Sequence, residues 1–176
     1  MGLAAINSVF NSPEAVRGNS SLRLEEPDQD VFAYLEDSLR DKKVAVIGHF
    51  RNLEALSEIC SLSILERIPQ PGDYPDPACE YILPEQDVVV MTATTLITKT
   101  FPRLLQLSRN AKVVVAGPST PLGPVLLEHG VDILAGLLIQ DGHNVWRAVQ
   151  EGGQHEIFQH GSRMVKVFPA HACVGE

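Results

Sequence analysis

Three consecutive valines constrain the fold more than any other feature of this 176-residue sequence. They lie in the run Asp87-Val88-Val89-Val90-Met91, which has the length and composition of a β-strand. Successive side chains of a strand point to opposite faces, so an unbroken apolar run buries both faces. A sheet with one wet face would expose at least one of these valines. The run therefore predicts a central strand with helices on both sides.

Strand and helix patterns alternate along the rest of the chain. The predicted strands are 43–47, 62–65, 87–91, 111–116, 131–134 and 164–168, the last of them as an edge strand. The predicted helices are 28–40 with Asp28 or Asp30 as N-cap, 53–59, 96–107, 121–129 with Gly130 after its end, and 145–149. This alternation predicts a Rossmann-like, doubly wound α/β domain, with a mostly parallel sheet of five or six strands and helices on both faces.

The expected organisation is an N-terminal helix and linker (1–27), the Rossmann-like α/β domain (28–168) and a short tail (169–176). Apolar side chains between residues 3 and 10 predict a short helix that Pro13 would end. A polar linker follows at 18–21. Because such a helix would expose apolar surface on its own, we expect it to pack against a second chain or to seal an edge of the domain.

Composition and charge exclude several classes of protein. The chain has 22 acidic and 14 basic side chains and a net charge of -8, which disfavours nucleic acid as a partner. With 44% hydrophobic and 20% charged residues, the chain can fill a core and is not expected to be disordered. No apolar run approaches the roughly 20 residues of a membrane helix, and no secretory signal pattern opens the sequence. We expect a cytoplasmic protein without a membrane partner.

The three cysteines, Cys60, Cys79 and Cys173, are an odd number at wide spacing. They indicate neither a disulfide framework nor a zinc-finger pair, and reduced thiols are expected. Cys60 lies in an apolar stretch typical of a core. Cys79 lies in a loop rich in proline and acidic residues, where its thiol would favour a soft metal.

Polar loops follow four of the predicted strands. In open α/β sheets, ligands bind beyond the carboxyl ends of the strands. The loops are Gly48-His49-Phe50-Arg51, then Glu66-Arg67 with the segment 69–80, then 92–95, and finally Gly117-Pro118-Ser119-Thr120-Pro121. The sequence therefore predicts a binding crevice at this edge of the sheet.

His49 and Glu66 are the most informative residues of these loops. An imidazole directly after a strand-ending glycine can ligate a metal, transfer a proton or bind an anion, and a bond to a loop carbonyl is the structural alternative. Glu66 follows Gly48 by 18 residues, the place of the acid that binds a ribose hydroxyl in dinucleotide folds. The glycine fingerprint is missing, which disfavours an NAD site. A nucleotide fragment remains an alternative ligand, and Glu66 could also form an ion pair with Arg51 or Arg67.

The remaining candidates complete a metal set and an anion site. Ser119 or Thr120 is expected as the N-cap of a helix that starts at Pro121, where free N–H groups would bind an anion, although an ordinary cap explains the pattern equally well. No serine-hydrolase elbow and no P-loop occurs, so the catalytic residues stay unknown. The candidate metal ligands are His49, Glu66, Asp73 and Cys79, for a divalent or heavy metal. The candidate ligand-binding residues are Gly48, His49, Glu66, Glu80, Thr94, Thr95, Gly117, Ser119 and Thr120.

Several strings together resemble the DUF364 family, which is described as a "putative heavy-metal chelation" domain. They are Gly48-His49-Phe50, Leu65-Glu66-Arg67 with Pro71-Gly72-Asp73, 78–84, Thr94-Thr95-Leu96 and 117–121. The resemblance covers roughly residues 1–165. It implies a Rossmann-like domain that follows a small enolase-like domain in longer relatives, with the site in the cleft between the two. Residues 1–7 resemble the segment that joins those domains. The resemblance therefore implies one of three situations: a separate chain supplies the first domain, a homo-oligomer builds the cleft differently, or the ancestral activity is lost.

Three functional hypotheses follow. The first is a protein of heavy-metal chelation or metal-chelate metabolism, which binds a small polar or anionic ligand at the strand-end crevice. The second is a non-catalytic module for a nucleotide-type ligand, with Glu66 on a hydroxyl group. The third is a subunit whose apolar N-terminal helix docks a partner chain.

Overall fold

The computed structural model describes residues 2–26, 29–51, 53–153, 156–158 and 161–170. Its helices are α1 (Gly2–Phe10), α2 (Pro13–Arg17), α3 (Val31–Leu39), α4 (Leu53–Leu56), α5 (Cys79–Ile82), α6 (Thr94–Thr98), α7 (Phe101–Leu107), α8 (Pro124–Glu128) and α9 (Gly142–Gln150). Its strands are β1 (Leu22–Glu25), β2 (Lys43–Ile47), β3 (Ser61–Glu66), β4 (Tyr74–Pro75), β5 (Val88–Thr92), β6 (Lys112–Ala116), β7 (Ile133–Ile139) and β8 (Ser162–Pro169). Short 3₁₀ turns occupy Asp76–Ala78, Leu83–Glu85 and Glu156–Phe158.

The strands of the described residues form one sheet of eight, in the order β1-β8-β7-β6-β5-β2-β3-β4. The six neighbouring strands β7-β6-β5-β2-β3-β4 are parallel to one another. Strand β8 runs antiparallel to both of its neighbours, β7 and β1. The predicted mostly parallel α/β fold is confirmed, with eight strands where the sequence indicated five or six. The expectation that 164–168 forms an edge strand is wrong, because β1 pairs along its outer side.

The central valines bury both faces of β5, as predicted. Val88 and Val90 pack with Phe32 and Leu35 of α3 on one face of the sheet. Val89 packs on the other face, in a cluster that includes Leu104 of α7. All three valines of β5 are at most 4% exposed. Two hydrophobic clusters, one on each face, therefore enclose the sheet, which is the doubly wound arrangement.

Several helix ends differ from the predicted ones. Pro13 does not only follow α1; it is the first residue of α2, which Ser12 caps through its hydroxyl group. A proline lacks the N–H that a first helical residue would leave unbonded, so this position accepts it. The predicted helix 96–107 divides into α6 and α7, because Lys99 adopts a left-handed conformation with φ of 63°. Asp30 caps α3, and Gly130 follows α8 with φ of 99°, both as predicted.

The N-terminal segment is tied to the domain by its polar side chains. The Asn11 amide group donates to the carbonyls of Thr120 (2.9 Å) and Leu137 (3.0 Å), and its oxygen accepts from the Leu122 N–H (3.0 Å). Val16 of α2 is 1% exposed and belongs to the core cluster. With β1 in the sheet, residues 2–26 contribute directly to the packing of the Rossmann-like unit.

Candidate functional site

The carboxyl ends of β2 and β3 lie side by side and bring Gly48 next to Glu66. The two strands are parallel neighbours, with Ile47 opposite Leu65, and the Gly48 N–H donates to the Leu65 carbonyl at 3.0 Å. The Glu66 carboxylate then accepts the His49 N–H at 3.1 Å through Oε1 and the Arg67 N–H at 2.8 Å through Oε2. Glu66 thus fixes the backbone of both strand-end loops.

A tight turn at residues 70–73 brings Asp73 to the ends of β2 and β3. Gly72 has φ of 100°, a conformation that favours glycine, and Asp73 and Gln70 bond each other: the Gln70 N–H donates to Oδ2 of Asp73 at 2.9 Å. The Asp73 side chain is only 5% exposed. Its turn leads directly into β4, which pairs with the end of β3. The segment after β3 therefore folds back on the strand ends.

His49 and Asp73 face each other across this turn. Nε2 of His49 lies 3.6 Å from Oδ2 of Asp73, and the His49 side chain is 35% exposed. We call the space bounded by His49, Glu66 and Asp73 the strand-end crevice. The predicted convergence of these three residues on one crevice agrees with this geometry. An accessible imidazole beside a nearly buried carboxylate can bind a cation or orient a polar ligand.

The threonine loop after β5 adjoins the same edge. A Cβ atom placed on Gly48, where φ is 99°, would lie 2.8 Å from Cγ2 of Thr92, so only glycine fits between β2 and β5 here. The Thr92 and Thr94 hydroxyls bond each other at 2.7 Å, and Thr94 is exposed. Thr95 is buried, and its hydroxyl donates to the Thr92 carbonyl at 2.7 Å. Thr94 and Thr95 were both predicted to bind the ligand, and Thr94 is the one whose side chain is accessible to it.

Glu80 and Cys79 have other partners than the crevice residues. Glu80 forms a two-pronged ion pair with the Arg103 guanidinium, with Nε at 2.9 Å, and this hydrogen bond lowers the pKa of the Glu80 carboxyl. Cys79 is half-buried at the start of α5 and packs against the core. Burial raises the pKa of its thiol, and the charges of Asp76 and Glu80 raise it further. These effects disfavour the thiolate that binds soft metals.

The loop 117–122 does not cap a helix, so the expected N-cap at Ser119 or Thr120 is wrong. Helix α8 begins at Pro124 with Gly123 as its N-cap, so the expected helix start at Pro121 is wrong. The reason is long-range bonding: Asn7 binds the Ser119 carbonyl at 2.8 Å, and Asn11 binds the Thr120 carbonyl. Thr120 is fully buried. Gly117, with φ of 122°, turns the chain away after β6 and has open space around its α-carbon.

Of the predicted site residues, the structure brings together Gly48, His49, Glu66 and Asp73. Within the ranges that the structure describes, no three His, Cys, Asp or Glu side chains lie close enough together to hold a metal ion. The metal set, the ligand-binding set and the division into three segments stay predictions. In the same ranges, no helix has the length and apolar character to cross a bilayer.

An apolar groove of about 1060 Å³ lies beside the threonine loop and was not predicted from the sequence. Its walls are α1, α6, α8 and the loop 118–123. The signal in the sequence was the apolar segment 3–10, which was expected to pack against a second chain or to seal an edge of the domain. The expectation of an apolar helix there is confirmed, and its outer side faces solvent.

Comparisons with known proteins agree with this fold. The DUF364 family model, described as "Putative heavy-metal chelation", matches residues 30–168. A crystal structure of a DUF364 protein of unknown function from Desulfitobacterium hafniense DCB-2 is 43% identical, with a TM-score of 0.86 over 95% of this chain and 67% of that one. A second, from Pyrococcus horikoshii, is 21% identical, with a TM-score of 0.77 over 94% of this chain and 66% of that one.

This chain thus spans about two thirds of the length of each structure. A search of curated proteins finds no match. Because the family model covers most of the chain, and a relative with 43% identity matches 95% of this chain, this protein belongs to the DUF364 family.

Proposed function

We propose that the strand-end crevice binds a divalent or heavy metal that arrives as a complex with a small, polar or anionic chelating molecule. The observation that carries the proposal is the approach of His49 Nε2 to Asp73 Oδ2 at 3.6 Å. Two nitrogen or oxygen donors that share a tetrahedral metal with bonds near 2.1 Å lie about 3.4 Å apart. The separation in the crevice therefore suits two neighbouring ligands of one metal ion.

Two donors do not complete a metal site, and this decides the form in which the metal would bind. The described part of the chain offers no group of three donors, whereas structural metal sites use four protein ligands. A metal that already carries a chelating molecule needs only the remaining positions. The family description, heavy-metal chelation, supports the same class of ligand.

The surroundings of the two donors suit the polar part of such a complex. Glu66 uses one lone pair of each oxygen on a backbone N–H, so further hydrogen bonds can reach it. The Thr92 and Thr94 hydroxyls lie beyond Gly48 on the neighbouring strand end. These groups can bind hydroxyl and carboxylate oxygens of a chelator. We therefore assign His49 and Asp73 to the metal, and Glu66 and Thr94 to the chelating molecule.

The test uses calorimetric titration of untagged protein with Zn²⁺ and Ni²⁺, each alone and as its nitrilotriacetate complex, which leaves coordination positions open. We expect the complexes to bind more tightly than the free ions. His49→Ala should weaken the binding at least tenfold, because it removes the accessible donor. His143→Ala removes an exposed imidazole on α9 and serves as the matched control. Failure of the wild type to bind any of the four probes, or equal binding by His49→Ala, would overturn the proposal.

A further inference from the structure

His49 lies in a loop whose backbone has to be held if the imidazole is to keep one direction. Residues 48–51 belong to no helix or strand. Nε2 of His49 lies 3.6 Å from Oδ2 of Asp73, which is longer than a hydrogen bond, so this contact alone does not orient the ring. The direction of the imidazole therefore depends on how the backbone on each side of His49 is held.

Polar contacts hold the backbone that precedes the α-carbon of His49. The Gly48 N–H donates to the Leu65 carbonyl at 3.0 Å, and the His49 N–H donates to Glu66 at 3.1 Å. With this peptide group fixed, rotation about the φ angle of His49 still turns its side chain and the onward backbone together. An attachment that follows His49 and stops this rotation therefore fixes both.

The Phe50 ring provides such an attachment. It packs edge-on against Phe32, with ring centroids 5.3 Å apart and ring planes at 76°, which is a favoured arrangement of two aromatic side chains. Phe50 is half-buried and joins the hydrophobic cluster on that face of the sheet. Its Cε2 atom also lies 3.9 Å from the place of a Cβ atom on Gly48, so the ring lies against the loop that it anchors.

Phe32 is a fixed support for the Phe50 ring. It is 7% exposed and lies in the first turn of α3, where Oδ1 of the N-cap residue Asp30 accepts the Phe32 N–H at 2.8 Å. On its inner side it belongs to the cluster that contains Val88 and Val90 of the central strand. The loop after β2 is thus attached, through Phe50, to the core of the sheet.

From these contacts we infer that Phe50 is a positioning residue of the strand-end crevice. Its ring, held against Phe32, stops the rotation about the φ angle of His49 and thereby directs the imidazole toward Asp73. Phe50 acts through His49 and donates no atom to the metal. The inference rests on the proposed function for the role of the imidazole as a metal ligand, whereas the orientation of the imidazole is measurable without a metal.

Three-bond NMR couplings of His49 in metal-free protein, which depend on φ and χ1, test the orientation directly. We expect the wild type to show the couplings of one conformer and Phe50→Ala to show averaged couplings. Phe50→Tyr keeps the ring and should keep the wild-type couplings. Ile59→Ala is the matched control, because it shortens a half-buried side chain of the same cluster at the opposite, amino-terminal edge of the strands. It should leave the couplings of His49 unchanged.

Calorimetric titration with the Ni²⁺ complex of nitrilotriacetate connects orientation with binding. Phe50→Ala should weaken the binding about tenfold, whereas Phe50→Tyr and Ile59→Ala should stay within about twofold of the wild type. In the His49→Ala background, Phe50→Ala should cause no further loss, because two residues that act through one contact are not additive. Should Phe50→Ala fail to fold, Phe50→Leu, which keeps an apolar side chain without the ring, replaces it in both measurements.

Each outcome bears on either the positioning role or the metal. Averaged couplings in the wild type, or wild-type couplings in Phe50→Ala, overturn the inference whatever the metal binding. Wild-type affinity in Phe50→Ala overturns it too, as does a further loss when Phe50→Ala is added to His49→Ala, which would show a general effect on the fold. If the wild type does not bind the complex, the proposed function fails, while the couplings still decide whether Phe50 orients His49.

Discussion

The Glu66 carboxylate accepts a hydrogen bond from the His49 backbone N–H at 3.1 Å, across the ends of two neighbouring strands. The same carboxylate accepts the Arg67 N–H at 2.8 Å, so one side chain fixes both loops of the crevice. His49, by contrast, meets Asp73 only through its ring, at 3.6 Å and partly in solvent. Glu66 therefore shapes the crevice, and the His49 ring is available to a ligand.

This division of roles predicts unequal effects of mutation on stability. Glu66→Gln replaces one acceptor oxygen by an NH₂ group facing a backbone N–H, and we expect it to lower the free energy of unfolding by about 1–2 kcal/mol. His49→Ala should change it by no more than about 0.5 kcal/mol, because a partly exposed pair contributes little. Urea denaturation of metal-free protein measures both.

Glu58→Gln, at an exposed position beyond α4, is the control for the charge change and should match the wild type. If Glu66→Gln is as stable as the control, the carboxylate does not fix the loops. The two hydrogen bonds that it accepts from backbone N–H groups would then not contribute to the stability of the fold.

A second prediction concerns the central strand. Val89 is fully buried on β5, so Val89→Asp places a carboxylate in the core without a partner. We expect the free energy of unfolding to fall by more than about 4 kcal/mol, which unfolds many domains outright. Ile68→Asp, at a position 87% exposed, should stay within about 0.5 kcal/mol of the wild type. Equal stability of the two variants in chemical denaturation would contradict a central position for β5.

The sequence predicted those parts of the fold that local patterns control. The valine run of β5 alone requires cover on both faces, and the parallel order of β2 and β3 places Gly48 beside Glu66. Strand β4 escaped prediction because two residues, one of them proline, carry no periodic signal. Strand β1 escaped because its place depends on pairing with β8, more than 140 residues later.

The start of α8 shows a different limit. Pro121 and Pro124 are both suitable first residues of a helix, so local chemistry does not choose between them. Asn11 determines that the helix begins at Pro124, because its amide group, from a distant part of the chain, hydrogen-bonds the loop at Thr120 and Leu122. The predicted anion site depended on that choice.

A third prediction tests this role of Asn11. The residue is 4% exposed, and its side chain donates to two carbonyls and accepts from one backbone N–H. Asn11→Ala leaves these buried groups without partners, and we expect a loss of about 3 kcal/mol in the free energy of unfolding. Asn7→Ala, which removes one bond to Ser119 in a less buried place, should cost about 1 kcal/mol. Thermal unfolding monitored by circular dichroism compares the two, and a smaller loss for Asn11→Ala than for Asn7→Ala would show that the loop is held by other contacts.

A fourth prediction concerns the thiol that the sequence suggested as a soft metal ligand. Burial, together with the nearby acids Asp76 and Glu80, raises the pKa of Cys79 above its ordinary value of 9.0. At pH 8 the thiolate fraction is therefore smaller than in an unperturbed cysteine, and alkylation depends on the thiolate. In the variant Cys60→Ser/Cys173→Ser, Cys79 is the remaining thiol of the chain. We expect iodoacetamide to modify it several-fold more slowly than a model peptide thiol.

The pH profile and a neighbouring substitution separate electrostatics from simple shielding. Because the pKa is raised, the alkylation rate should keep increasing with pH above 9, where the rate of an ordinary thiol levels off. Glu80→Gln in the same background removes one acid and releases Arg103 from its ion pair, so the rate at pH 8 should increase. A Cys79 that reacts at pH 8 as fast as the peptide, with no response to Glu80→Gln, would be a thiolate available to soft metals.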